Sequence, residues 1–305
     1  MSQVGAPRHA PIPIGDPAAP PFVRLPDPLA LFARRAERFR TLAHGHDLAP
    51  FLGFLAELSA VQHGVQDGLA AIALPAPDVL ARAHEHGMPP LDRDRFTIDP
   101  VAELTLDRVL AACGACTMPA AAREALASVQ NADGAARAVM AHAVLADSIP
   151  VETLATHVFV AAALQVHFAR LAARLDPARL GPVGDGVCPV CGGPPVSSLV
   201  VGWHGAHGAR FCACSLCGTL WNHVRIKCTV CGSTAGISYQ EVVGGPGTVK
   251  AECCSACRSY VKILEQRDDP ALDPVADDVG SLGLDLLMRE TGLRRGSVDH
   301  FLLGY

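Results

Sequence analysis

The spacing of apolar residues predicts a helical N-terminal half. Apolar side chains recur there every three or four residues, which places them on one face of a helix. Asp27-Pro28 forms a good helix start, so a first helix is expected from there toward Gly45. A second helix, opened by Asp47, carries an apolar stripe of Phe51, Leu55, Leu58, Val65, Leu69 and Ile72. Further helices are expected near residues 77–86, 101–113, 119–130, 134–146 and 151–175.

After residue 187 the pattern becomes typical of β-strands. The runs 196–201 and 237–243 are rich in β-forming residues and are bounded by glycine-rich turns. The glycine-rich run 181–186 is interpreted as a linker that precedes them. After Leu264 an acidic stretch leads into a last helix near 279–290.

Together these elements predict an α+β protein. Residues 1–25, rich in Pro and Ala, are expected to form a disordered or extended arm, and residues 26–180 a helical domain. Two tandem rubredoxin-like or zinc-ribbon-like β modules follow at 187–226 and 227–266. Residues 267–305 contain the acidic segment and a C-terminal helix that packs back on the body. No apolar run of about 18 residues is free of charges or helix breakers, so no membrane insertion is expected.

Eight of the twelve cysteines form four Cys-x-x-Cys pairs, and the first two pairs recur forty residues later as the last two. Each unit of this repeat can give four thiolates to one tetrahedral ion, because one tight turn presents two sulfurs. Gly192, Gly218 and Gly232 follow three of the pairs, where a positive φ suits the turn, whereas Arg258 follows the fourth. The candidate ligands are Cys188, Cys191, Cys214, Cys217, Cys228, Cys231, Cys254 and Cys257.

The cysteine spacing does not identify the metal. It favours one combination of the Cys-x-x-Cys pairs without deciding it. The repeat favours sites within each unit, although the two central pairs could also combine and leave the outer pairs to each other. Four thiolates suit a single iron or zinc. A disulfide framework is disfavoured, because the cysteine density is low and no signal-peptide pattern is seen. His204, His207 and His223 lie near the sites, but four thiolates already fill a tetrahedron.

Four cysteines remain outside these pairs. Cys212 and Cys253 lie next to ligand cysteines, and each is interpreted as a half-buried small residue or as a spare thiol for redox or sulfur chemistry. Cys113 and Cys116 are spaced like a fifth pair, but they lie in Ala- and Leu-rich sequence. They are interpreted as helix-end packing and not as ligands.

Charge is distributed unevenly along the chain. The ribbon region 188–264 carries six basic and two acidic residues, for a net charge of +4, whereas the whole chain carries −5. A basic ribbon on an acidic body could contact an acidic protein surface or nucleic acid. Arg225 and Lys227, between the two units, are candidate partner-binding residues.

The sequence around the cysteines resembles the formate dehydrogenase accessory protein family, FdhE. Unrelated ribbons share only the cysteines with it, so the match is specific. It covers nearly everything after the N-terminal arm. The stretches that carry the resemblance are 31–39, 188–198, 214–232, 250–263 and 273–285.

This resemblance implies a cytoplasmic, non-enzymatic maturation factor that is needed for active formate dehydrogenase and binds its immature catalytic subunit. It also implies a helical domain followed by two rubredoxin-like modules, with iron at two mononuclear four-cysteine sites and zinc as the alternative. The family's four pairs correspond to the eight candidate ligands given above. Cys113, Cys116, Cys212 and Arg258 depart from the family pattern.

Two other classes of function are kept as alternatives. A rubredoxin-like electron carrier would use the one-electron change of an iron bound by four sulfurs. A nucleic-acid-binding double zinc ribbon would use the basic region, and a salt-dependent affinity would reveal it. Nucleic acid is the less expected partner, and a homo-oligomer is compatible with the sequence. No phosphate-binding glycine loop and no nucleophile with a neighbouring base support catalysis.

Overall fold

The computed structural model describes residues 19–302, and in it seven helices precede the main strands. The predicted arm, 1–25, lies mostly outside the described residues. Its last part includes the short strand β1 (Val23–Arg24). The helices are α1 (Pro28–Ala43), α2 (Ala49–Gly64), α3 (Pro77–Glu85), α4 (Pro100–Cys113), α5 (Ala120–Asn131), α6 (Gly134–Leu145) and α7 (Leu154–Ala172).

Local sequence explains where several of these helices begin. The carboxylates of Asp27, Asp99 and Asp133 accept hydrogen bonds from backbone amides in the first turns of α1, α4 and α6. These bonds satisfy amides that have no partner within the helix. Pro28 and Pro100 occupy the first helical positions, where a missing N–H costs nothing.

Helix α7 lies at the centre of the helical domain and packs against α2, α4, α5 and α6. Within residues 19–302, the segment Val151–Ala172 is the one helix long and apolar enough to cross a membrane by length and composition. Yet 72% of its most apolar window is buried inside the protein. The core helix of a soluble protein has the same character.

Helix α2 ends earlier than its apolar stripe predicts. It stops at Gly64, a short 3₁₀ turn covers 65–68, and the chain then becomes extended. Ile72 is still buried, although it is not helical. Arg170, from α7, donates a hydrogen bond of 2.6 Å to the Ala70 carbonyl. The prediction of one long helix is wrong here, because glycines at 64 and 68 weaken helix formation and Arg170 of α7 binds the extended backbone.

Each forty-residue unit of the sequence forms a three-stranded antiparallel ribbon. The first unit contains β2 (Pro195–Val200), β3 (Arg210–Cys214) and β4 (Leu220–His223). The second contains β5 (Ile237–Gln240), β6 (Val249–Cys254) and β7 (Ser259–Glu265). Strand β5 is shorter than the predicted run 237–243, because its pairing with β6 ends where Gln240 faces Ala251. The α+β class and the two ribbon modules are confirmed.

The two ribbons form one continuous sheet, which the sequence did not reveal. Strand β2 pairs in parallel with the second half of β7, and Ser198 faces Ile263. The strand order is β1-β4-β3-β2-β7-β6-β5. A two-residue strand, β8 (Arg294–Arg295), pairs with the first half of β7. The first ribbon and the helices also share one hydrophobic core, to which Val190, Val196 and Trp221 contribute. The domain boundaries drawn from the sequence stay predictions.

The C-terminal segment packs back on the body, as predicted. It forms two short helices, α8 (Ala276–Gly280) and α9 (Leu282–Glu290), where the sequence predicted one. Three aspartates of its acidic stretch are buried and paired, whereas Asp268 is exposed. Asp273 and Asp277 bind Arg35 and Arg38 of α1 at 3.4 and 2.7 Å, and Asp278 lies 3.5 Å from Lys262 of β7. The acidic stretch therefore joins the helical domain to the second ribbon.

Candidate metal centres

The structure brings the four sulfurs of each repeat unit together. In the first centre, the Sγ atoms of Cys188 and Cys217 lie 3.6 Å apart, and those of Cys191 and Cys214 lie 3.4 Å apart. All four ligand atoms of this centre lie within 4.8 Å of one another. The first centre thus joins the turn before β2 to the hairpin between β3 and β4.

The second centre repeats this geometry forty residues later. The Sγ atoms of Cys228 and Cys257 are separated by 3.7 Å, and those of Cys231 and Cys254 by 3.8 Å. Four sulfurs around an ion at about 2.3 Å would lie about 3.8 Å from one another. Both centres therefore have the size of a tetrahedral thiolate site. The sulfurs group within each unit, and the alternative of crossed pairs does not occur.

The turn that follows each pair has the backbone that the glycines predicted. Gly192, Gly218 and Gly232 adopt φ values of +81°, +72° and +72°. The amide of each donates a hydrogen bond to the carbonyl of the first cysteine of its pair, at 2.9 to 3.2 Å. Arg258 takes the same left-handed conformation, with φ +56°, although it has a side chain. All four turns thus place a residue of positive φ after the second cysteine, and the fourth is strained because that residue has a side chain.

The donor set fits a soft metal ion. Burial raises the pKa of the Cys188 thiol well above its usual range, so thiolates in this interior need a cation beside them. Thiolate sulfur binds zinc or iron in preference to hard ions such as magnesium. Backbone N–H groups also approach the sulfurs: Cys217 donates to Cys214 Sγ at 3.5 Å, and Val230 donates to Cys228 Sγ at 3.3 Å.

The two centres differ in their access to solvent. In the first, all four cysteines are buried. In the second, Cys231 is exposed and Cys257 is half-buried. The first centre lies between the sheet and the helical domain, whereas the second lies on the outer ribbon.

A segment of the helical domain covers the first centre. The amides of Leu91 and Arg93 donate hydrogen bonds to the carbonyls of Val190 and Cys191, at 2.9 and 3.1 Å. The Arg93 guanidinium binds Asp147 at 2.6 Å. Burial opposes the charge of Arg93, but Asp147 and the sulfurs of Cys191 and Cys214 raise its pKa. Arg93 therefore provides positive charge beside the first set of thiolates, a role that sequence reasoning missed.

The remaining cysteines lie outside both groups of four. Cys212 is buried within β3, and this burial raises the pKa of its thiol to about 12. Cys253 is buried in β6. Cys113 ends α4, and Cys116 lies in the turn after it; both are buried. Their positions agree with packing roles.

The three nearby histidines are not part of either cluster. His204 and His207 are exposed in the loop between β2 and β3, and His223 is half-buried at the end of β4. Burial lowers the pKa of His223. None of the three belongs to a described group of four ligand atoms.

Much of the positive charge of the ribbons is neutralised in the structure. Arg210 is buried against Glu252 at 2.8 Å, and Lys262 is buried against Asp285 at 2.5 Å. Lys227 pairs with Asp185 at 2.5 Å, whereas Arg225 is exposed. Of the aromatic residues, Phe211, Trp221 and Tyr260 are buried. These burials count against a nucleic-acid-binding face.

Comparison with known proteins identifies the family. Models named "FdhE, N-terminal", "FdhE, central domain" and "FdhE, C-terminal domain" match residues 20–185, 187–225 and 226–302. The chain belongs to the FdhE family. A protein FdhE homolog from Rhizobium meliloti (strain 1021) is 49% identical over 96% of each chain. An FdhE homolog from Edwardsiella ictaluri (strain 93-146) is 37% identical over 94% of this chain and 92% of its own.

A solved structure supports the same assignment. The crystal structure of the FdhE protein from Pseudomonas aeruginosa resembles this chain with a TM-score of 0.84 and 33% sequence identity. The similarity covers 93% of this chain and 99% of that one. The resemblance stated from the cysteine-containing motifs is confirmed, and it extends over the helical domain.

Proposed function

We propose that this FdhE-family chain is a cytoplasmic accessory protein that binds the immature catalytic subunit of formate dehydrogenase. Family membership over almost the whole chain supports an accessory role for formate dehydrogenase. This family membership is the observation on which the proposal rests. We assign no catalytic step to this chain, and its contribution is to bind and hold a client.

We further propose that both sulfur clusters hold a metal ion and that the ion is iron, with zinc as the alternative. Cys188, Cys191, Cys214 and Cys217 would hold one ion, and the four equivalent cysteines of the second unit would hold the other. Iron bound this way can accept or give one electron, whereas zinc would be purely structural. In either case the ion would cross-link the two Cys-x-x-Cys turns of its unit.

The connector between the two units is the proposed client-binding surface. Arg225 is exposed there, beside the apolar side chains of Val224 and Ile226, which are also exposed. Lys227 adds a second cation, although Asp185 partly neutralises it. A surface that combines an exposed arginine with exposed apolar side chains suits a protein partner better than a nucleic acid, which requires many cations.

A strain that lacks this protein tests the accessory role. We expect it to synthesise the catalytic subunit but to oxidise formate poorly, and a plasmid copy should restore the activity. An affinity-tagged full chain should capture the catalytic subunit from cell extract. Normal formate oxidation in the deletion strain would contradict the accessory role. Capture of nucleic acid at physiological salt in place of the subunit would favour the double-ribbon alternative.

Two neighbouring cysteines provide a matched pair of variants. Cys254 belongs to the second cluster, whereas Cys253 beside it does not. The Cys254→Ser variant should fail to restore formate oxidation, and Cys253→Ser should restore it. Equal activity of the two variants would show that the second cluster is not needed for the accessory role.

A further inference from the structure

The two sulfur clusters have the same geometry but different surroundings. The first cluster is buried at all four cysteines, whereas Cys231 of the second is exposed and Cys257 is half-buried. A metal leaves a buried thiolate cage only when the protein around it opens, because an incoming ligand must first reach the ion. An exposed cage needs no such opening.

The cover over the first cluster is built from the helical domain. Residues 88–93 lie against the first Cys-x-x-Cys turn and bind its backbone through the Leu91 and Arg93 amides. Pro89 closes the same turn, since a Cβ placed on Gly192 would lie 3.2 Å from its ring. The covered backbone therefore cannot move unless this segment detaches from it.

Arg93 adds charge to the cover. A Cβ placed on Gly193 would lie 3.5 Å from Nη1 of Arg93 and 3.6 Å from Sγ of Cys191, so the guanidinium and the sulfur approach the same point. Asp147 fixes the guanidinium at 2.6 Å, and His300 lies 3.5 Å from the other oxygen of that carboxylate. A fixed cation stabilises a cluster of thiolates whose negative charge exceeds that of its ion.

The second cluster is covered less completely than the first, by the linker and by the C-terminal segment that contains β8. The linker before the first ribbon contacts its first turn, because Asp185 binds Lys227 and Gly186 packs against the Thr229 carbonyl. Its other turn exposes Ser255, Ala256 and Arg258, although the amide of Arg294 donates a hydrogen bond of 2.9 Å to the Arg258 carbonyl. Within residues 19–302 no segment of the helical domain is hydrogen-bonded to the backbone of residues 254–257 in the way that 88–93 binds the first turn.

From this asymmetry we propose that the two centres have different roles: the first is a closed structural centre held by Arg93, and the second exchanges its metal with outside ligands. The inference rests on the proposal that both clusters bind metal. In the exchange, the ion passes to the incoming ligand, and the four released thiolates take up protons from the solvent as needed. Arg93 is a positioning residue, since it acts on the metal through the charge and placement of the thiolates.

Metal release from the full chain loaded with Zn²⁺ tests the proposal. The chelator 4-(2-pyridylazo)resorcinol reports free zinc by colour, and N-ethylmaleimide labels cysteines as they lose the metal. We expect two phases of about equal size, with the first at least about tenfold faster. Peptide mapping should find Cys231 and Cys257 labelled in the fast phase, and Cys188 and Cys191 only in the slow one. This mapping assigns the phases without any substitution.

Variants of the cover test the role of Arg93. Arg93→Gln should speed the slow phase severalfold and leave the fast phase unchanged, and Arg93→Lys should partly restore the slow rate. Arg95→Gln is the matched control, because Arg95 lies two residues away and is exposed. The control should change neither phase. Helical circular dichroism before chelation verifies that each variant is folded.

The possible results distinguish a failure of the division of roles from a failure of metal binding. Protein that binds neither zinc nor iron would contradict metal binding itself. Two equivalents released at one rate, or labelling of the first cluster before the second, would overturn the division of roles while leaving metal binding intact. An unchanged slow phase in folded Arg93→Gln would show that Arg93 does not hold the first centre closed.

Discussion

The guanidinium of Arg210 on β3 lies 2.8 Å from the carboxylate of Glu252 on β6, and this buried ion pair joins the two ribbon units. Arg210 also donates hydrogen bonds to the carbonyls of Arg225 and Lys227, at 3.4 and 3.3 Å. One buried cation therefore holds both the sheet and the connector on which the proposed client-binding surface lies.

Removing the acidic half of this pair should destabilise the protein strongly. Glu252→Gln leaves Arg210 buried without a countercharge, which typically costs about 3–5 kcal/mol in the free energy of unfolding. Urea unfolding at a fixed zinc concentration measures the loss. Glu241→Gln is the control, since Glu241 pairs with Lys250 at 3.2 Å near the surface and should contribute at most about 1 kcal/mol. Similar losses in both variants would show that the buried pair has no special role.

The purified protein should contain two metal ions per chain, because the structure forms two separate groups of four sulfurs. X-ray absorption should give metal–sulfur distances of about 2.3 Å. Replacing Cys228 and Cys231 together by Ser should lower the metal content to about half and preserve the helical circular dichroism. The second cluster lies outside the core that the first ribbon shares with the helices. A metal content near one in the unmodified protein would contradict the two-site assignment.

Arg258→Gly should stabilise the second ribbon. Arg258 holds φ at +56°, where a side chain costs about 1–2 kcal/mol, and glycine occupies the equivalent position in the other three turns. Glycine also has greater freedom in the unfolded chain, so the expected net gain in the free energy of unfolding is up to about 1 kcal/mol. Arg258→Ala keeps the strain and serves as the control. Loss of stability in the glycine variant would show that the Arg258 side chain contributes more than its backbone costs.

The helical domain should lose stability in mild acid through His167. Burial lowers the pKa of this histidine to about 4, Asp99 opposes the shift, and Arg170 adds to it. Because the folded pKa lies below the ordinary value of about 6.5, the stabilisation is complete above that pH and is lost as the pH falls toward 4. The loss should approach about 3 kcal/mol.

The measurement for His167 is a comparison of unfolding at several pH values. His167→Phe suits the site, because His167 packs edge-on against Phe96 at 5.4 Å between ring centroids. Between about pH 6.5 and 4, the free energy of unfolding should fall less in the variant than in the unmodified protein. The difference between the two falls should be about the amount assigned to His167. Parallel curves would assign the acid lability to other groups, including the thiolates.

Charge reversal at the connector should weaken client capture. Arg225→Glu removes an exposed cation, and neither Arg225 nor Lys227 belongs to a sulfur cluster, so metal content should not change. Lys227→Glu should act more weakly on the client, because Asp185 already neutralises Lys227. Captured catalytic subunit is quantified against metal content in the same preparation. Undiminished capture by both variants would place the client-binding surface elsewhere.

The cysteine spacing was enough to predict four tight turns and to favour one four-sulfur site in each unit, and the structure decided that pairing. Two sulfurs three residues apart require a tight turn, and glycine after the second sulfur permits that turn, so the geometry is largely local. The helix start at Asp27 was equally readable, because its carboxylate accepts a hydrogen bond from an amide only three residues away. The resemblance to the FdhE family was also recognisable from the sequence motifs.

Tertiary structure decided how these local pieces combine. The pairing of β2 with β7 joins residues that are far apart in the chain, such as Ser198 and Ile263, and no local pattern specifies such a partner. The acidic stretch has the composition of a solvated segment, yet Asp273, Asp277 and Asp278 are buried against cations from other elements.

The segment that covers the first centre likewise includes Arg93. In the chain this residue lies far before Cys191, to whose carbonyl its amide is hydrogen-bonded. The sequence by itself thus determined the turns, ribbons and candidate ligands. Long-range packing decided which centre is closed and which is open, because burial depends on neighbours that are distant in sequence.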